Sequence, residues 1–112
     1  MYTKTLNATD VARVEMGFAG VTMQMLTGDG ASNGLYVLTT MVPGATIPAH
    51  SHTKANEFVF VLLGDFIEAG KSHGVGAVFF GMAGTVHGPH TTKNGCVVLT
   101  HFSAPIDFVP AT

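Results

Sequence analysis

One cysteine, Cys96, is all the thiol this 112-residue chain carries. A lone cysteine cannot close an internal disulfide, which excludes a stapled secreted scaffold and makes a reducing cytoplasm the expected compartment. Charge is scarce as well. Only 11% of residues are charged, and the five basic ones, Lys4, Arg13, Lys54, Lys71 and Lys93, are scattered singly in a chain of formal net charge −2. That distribution cannot neutralise a run of phosphates, so nucleic acid is not expected as a partner. Long hydrophobic runs are also missing. No stretch reaches the ~18 apolar residues that span a bilayer, and the N-terminus from Met1 to Leu6 lacks the apolar segment of a secretory signal, so no membrane partner is expected. Repeats, low-complexity tracts and linkers are absent, and a chain of this length supports one core. Residues 1–112 are therefore read as a single domain.

What is present is apolar and strand-like. Hydrophobic residues make up 46% of the chain, more than a small monomer hides easily, so a hydrophobic subunit interface and a homodimer are expected. Fourteen glycines recur at short intervals and leave little room for helices. Between them lie runs rich in Val, Phe, Leu and Thr: Val21–Leu26, Leu35–Val42, Phe58–Leu63, Ala77–Phe80 and Cys96–Phe102. In the second run Leu35, Val37, Thr39 and Met41 share one face, and Tyr36, Leu38, Thr40 and Val42 the other. Both faces are fairly apolar, as in a strand covered on both sides. Many short strands with tight turns specify an all-β sandwich or closed barrel. The stretch Thr9–Gly17 reads equally as a helical turn or an arm strand.

The chemistry is concentrated between Gly44 and Gly64. His50 and His52 stand two residues apart, which on a strand puts both imidazoles on one face. The polar stretch Thr53–Asn56 breaks the strand and resets the side-chain parity, so Glu57 can face the same interior, with Val59, Val61 and Leu63 behind it. A buried carboxylate without a partner is costly, and a divalent cation flanked by neutral imidazoles removes that cost. His87, in a glycine-rich turn that ends at Pro89, offers a fourth donor. Three imidazoles and one carboxylate leave two open positions on an octahedral ion.

These residues carry a family resemblance. The segment Gly44–Gly64 resembles the first motif of the cupin superfamily: glycine, five residues, His-X-His, four residues, glutamate, six residues, glycine. Gly76, Gly84 and His87 resemble the second motif, with Met82 where the family usually has proline and Thr91 where it usually has asparagine. The resemblance implies a cupin jelly-roll β-barrel of the small single-domain bacterial kind, with His50, His52, Glu57 and His87 as ligands to one divalent metal. Iron(II) is favoured, with zinc, manganese, nickel, cobalt or copper as alternatives. The stretch Gly84–Thr91 further resembles cupin dioxygenases of dihydroxyacetophenones and β-diketones, and the cupin domain of zinc-binding anti-sigma factors.

Three functions follow. An oxygenase would take a small neutral or monoanionic diketone or hydroxyaryl ketone alongside dioxygen; no arginine lies in either motif to clamp a stronger anion. The alternatives are a non-redox isomerase, cyclase or lyase, and a non-catalytic metal- or ligand-sensing protein. His90, three residues past His87, is the candidate catalytic base or substitute ligand. His101 is read as a histidine of the barrel wall, His73 as solvated and Cys96 as a small buried hydrophobe. Met41, Met82, Phe79 and Phe80 are candidates to wall an apolar pocket or fill the core. Asp10, Glu15 and Asp107 are assigned to solvated surface.

Overall fold

A computed structural model describes residues 1–28 and 34–111. Twelve strands follow one 3-10 turn, Ala8–Asp10: β1 (Val14–Glu15), β2 (Val21–Gly28), β3 (Leu35–Met41), β4 (Thr46–Ile47), β5 (His50–Ser51), β6 (Glu57–Gly64), β7 (Phe66–Glu68), β8 (Lys71–His73), β9 (Val78–Gly81), β10 (His90–Thr91), β11 (Cys96–Phe102) and β12 (Val109–Pro110). The Thr9–Gly17 stretch thus holds both a turn and an arm strand.

Pairing is antiparallel throughout these strands. One sheet runs β1-β2-β3-β11-β6-β9, a second runs β4-β10-β7-β8, and β12 pairs with β5. The main core lies where the two larger sheets face each other: Val21, Met41, Val61 and Val98 come from the first, and Ile47 and Phe66 from the second. This all-β barrel is the expected fold class.

Alternation works as expected on β3. Val37, Thr39 and Met41 are buried, whereas Tyr36 is exposed and Leu38 and Thr40 are only half-buried, so within one chain just one face of this strand is covered. On β6, Val59 and Val61 point inward behind Glu57. Leu63 departs from the expected parity and is exposed, because the β6–β11 register shifts between Val97 and Val98 and ends the inward alternation. Gly64 closes that strand with φ +78°, and a Cβ there would sit 1.9 Å from the Gly95 carbonyl oxygen. No side chain fits such an approach.

Candidate metal centre

Backbone pairing brings the site together. His50 and His87 form an isolated antiparallel bridge, His50 N–H donating to the His87 carbonyl at 2.9 Å and His87 N–H to the His50 carbonyl at 2.8 Å. Their rings therefore meet, with centroids 4.4 Å apart. The turn before His87 is tied to the same strand, since Gly84 N–H donates to the His52 carbonyl at 2.7 Å. Its φ of +85° is why a glycine stands there. Glu57 opens β6 and reaches the cluster from the other side.

All four expected residues converge. Glu57 Oε2 lies 2.8 Å from His87 Nε2 and 3.5 Å from His52 Nε2, and His87 Nε2 lies 3.1 Å from His50 Nε2. Two donors bound at right angles to one ion at ~2.1 Å stand ~3.0 Å apart, close to the two spacings that His87 Nε2 makes with Glu57 and His50. Tautomers point the same way. His50 Nδ1 contacts the Pro48 carbonyl at 2.7 Å and His52 Nδ1 the Asp107 carbonyl at 2.5 Å. A carbonyl only accepts, so each Nδ1 carries the hydrogen and each Nε2 presents its lone pair to the cluster. His52 Nε2 is buried with no hydrogen-bond partner. Lone pairs and a carboxylate aimed at one point repel unless a cation sits among them. The donor set fits a divalent metal.

Electrostatics agree. Burial, followed by the neighbouring histidines, lowers the His50 imidazole to about 4, against an opposing contribution from the Pro48 carbonyl. It is neutral at pH 7. Burial alone would raise the Glu57 carboxyl, but the imidazoles of His52 and His87 beside it outweigh burial and hold the group at about 2. Burial opposes charging of His52 too, yet Glu57 and the Asp107 carbonyl raise it overall.

His90 joins the cluster from β10. It is buried, its ring stacks near-parallel to His87 at 5.4 Å and stands edge-on to His50 at 5.5 Å. Donor atoms of His50, His87 and His90 lie within 4.8 Å of one another, as do those of His52, Glu57 and His87. Directly opposite His90 on β7 is Glu68, whose Oε2 lies 2.5 Å from His90 Nδ1 while its Oε1 accepts from Gly88 N–H at 2.7 Å. The sequence gives no hint of Glu68, because only the β7–β10 register places it there.

Two cavities flank the cluster. One, of about 230 Å³, is walled largely by apolar side chains, among them Phe18, Met23, Met41 and Ile106, and opens onto His50, His52 and Glu57. Among the described residues no lysine or arginine lines it. The other, of about 350 Å³, meets His87, Glu68, Phe79 and Phe80. Glu57 and His90 line both. Of the expected pocket residues, Met41 and the two phenylalanines take part, while Met82 is exposed.

Other histidines stand apart from the cluster. His101 packs against Tyr36 on the barrel wall, ring centroids 4.5 Å apart and planes tilted by 39°, as expected. His73, expected in solvent, is half-buried and meets Phe79 edge-on at 4.8 Å, because β8 folds back onto β7. Cys96 is buried, which pushes its thiol up. Asp107 is exposed as expected, but it is not idle surface. Its carboxylate accepts from Thr53 N–H at 2.8 Å and from the Thr53 hydroxyl, and these contacts hold its carboxyl below the usual range.

The family model for the ChrR cupin-like domain matches residues 3–105. The chain belongs to that cupin family. A search of curated proteins returns no match. Among solved structures, the cupin resembles the polyketide cyclase RemF from Streptomyces resistomycificus at TM-score 0.82 and 21% identity, over 99% of this chain and 87% of that one. It resembles an acetylacetone dioxygenase from Acinetobacter johnsonii at TM-score 0.74 and 16% identity, over 96% and 77%. The anti-sigma factor ChrR of Rhodobacter sphaeroides, solved in complex with SigE, matches at TM-score 0.69 and 24% identity, over 85% of this chain and 50% of that one. At such identities the likeness is one of fold, and a cupin fold hosts more than one function. Among the described residues no helix is long and apolar enough to cross a membrane.

Proposed function

We propose that this cupin holds one divalent ion, iron(II) by preference, on His50, His52, Glu57 and His87, and oxidises a small diketone or hydroxyaryl ketone with dioxygen. The observation that carries this reading is the apolar cavity that ends on His50, His52 and Glu57. Its walls suit a partly apolar molecule, and the lack of basic side chains disfavours a polyanion. A bound divalent ion supplies Lewis acidity and, when redox-active, electrons for dioxygen. The chain supplies the rest. The Pro48 and Asp107 carbonyls orient two imidazoles, Glu57 offsets the cationic charge, and the apolar walls exclude water from the reacting end of the substrate. His90, braced by Glu68 and lining both cavities, is placed to take a proton from the substrate.

Oxygen uptake by iron-loaded protein, tested with β-diketones and hydroxyacetophenones, is the direct test. Uptake with one of them is expected; zinc in the anaerobically purified protein together with no uptake on iron loading contradicts the reading. In the His90→Ala variant turnover should drop about 100-fold or more while metal content holds. Unchanged turnover removes His90 from the chemistry.

A second reading is favoured by the family match itself: a cupin that binds metal or ligand to regulate another protein, as the ChrR structure is a complex with SigE. The similarity to RemF supports a non-redox cyclase, isomerase or lyase on the same ligands. Full metal loading without turnover of any substrate supports the first of these alternatives. Cytoplasmic residence is part of the proposal, resting on the single buried cysteine.

The homodimer is proposed through the outer face of the six-stranded sheet. Leu38, Leu99, Phe60 and Val78 lie in register across β3, β11, β6 and β9, and Tyr36, His101, Phe58 and Phe80 form the next row. Phe80 is 64% exposed and Val78 52%. These strands carry no Lys, Arg or Asp, and Glu57 points into the site, so the face offers nothing to a charged partner. A second copy, with the same uncharged rows, matches it.

A further inference from the structure

The C-terminal segment is fastened to the strand that carries the two histidines. Val109 lies opposite Ser51 and Pro110 opposite His50 in the β12–β5 pair, and Ala111 N–H donates to the Ala49 carbonyl at 3.0 Å. Phe108 stacks on His50 with centroids 4.3 Å apart and 23° between the planes. One residue before it, Asp107 makes two kinds of contact at once. Its side chain holds Thr53 at both the N–H and the hydroxyl, and its main-chain carbonyl accepts from His52 Nδ1 at 2.5 Å. His52 and Thr53 are adjacent, so the two contacts brace one another.

We propose that Asp107 is a positioning residue for the metal centre: by clamping Thr53 it fixes its own carbonyl against His52 Nδ1, and so keeps the His52 Nε2 lone pair aimed at the ion. This rests on the metal reading of the site. A neutral imidazole has two tautomers and a rotatable ring, and only an acceptor fixed at Nδ1 selects the tautomer whose Nε2 can ligate. The β12–β5 pair holds Val109 and Pro110 but does not include Asp107 itself. The carboxylate clamp on Thr53 ties this residue directly to the one that follows His52. No interaction of Asp107 with substrate is required.

The test compares wild type, Asp107→Ala, Asp107→Asn and Thr53→Val. Cobalt(II) affinity is read by competition with a chelator, the cobalt ligand-field spectrum is recorded, and thermal melting of each metal-free protein serves as the fold control. Wild type should bind one equivalent. Asp107→Ala should bind about 10- to 100-fold more weakly with an altered spectrum, as loss of a residue that orients a metal-binding histidine does. Asp107→Asn keeps one oxygen for Thr53 N–H, and Thr53→Val keeps that N–H but loses the hydroxyl, so both should fall between. A lower melting temperature with unchanged affinity and spectrum in Asp107→Ala overturns the proposal, because a merely structural clamp behaves that way. Should Asp107→Ala fail to fold, the two milder variants decide by the same criteria. Wild type that binds no cobalt instead overturns the ligand assignment itself.

Discussion

The site's readiness for a cation is written in single residues. His50 is held neutral by its burial, Glu57 is held ionised by its histidine neighbours, and each of His50 and His52 has its tautomer fixed by a main-chain carbonyl. The same facts give a pH dependence in the metal-free protein. The folded His50 titrates at about 4 and the unfolded one at the ordinary 6.5, so between these values the unfolded chain binds the extra proton. This residue's contribution to stability is therefore present above pH 6.5 and lost as pH falls toward 4. His52, shifted upward, works in the opposite sense and favours the fold below pH 6.5. To isolate the first effect, urea midpoints of metal-free wild type and His50→Gln are compared from pH 7 to pH 4. The variant should show a smaller loss on acidification; equal losses contradict the assignment. The candidate ligands could be named from the chain, because His-X-His and the glutamate after a strand break are local spacings. Glu68 and Asp107 could not, since one reaches the cluster by strand register and the other across 54 residues of sequence.

At the scale of elements, the five long runs were legible as strands, as period-two patterning gives a strand and its inward face together. The short strands β4, β7, β8, β10 and β12 were not. Two or three residues carry no period, and such segments become strands only because a distant partner pairs with them. Leu63 marks the limit of parity arguments, for the bulge that turns it outward belongs to β11 as much as to β6. Gly64 marks where the first motif ends and the chain must turn against Gly95. Gly64→Ala should destabilise the fold by ~2 kcal/mol or more, from the left-handed backbone and the clash with a main-chain oxygen that cannot move aside. A urea midpoint within error of wild type would show that this turn tolerates a side chain.

For the whole molecule, the proposed dimer rests on the uncharged rows of the outer sheet face. Phe80→Lys places a charge on the edge strand β9, in the most exposed part of that face. Sedimentation equilibrium should give twice the 11.7 kDa chain mass for wild type and a single chain mass for the variant. A monomeric wild type rejects the interface. The central claim is that one ion sits among four named side chains, and anomalous diffraction from metal-soaked crystals at the absorption edge of the added metal tests it most directly. The account predicts a single strong peak about 2.0–2.3 Å from Nε2 of His50, His52 and His87 and from a Glu57 oxygen. A peak elsewhere on the chain, or none at saturating metal, contradicts it.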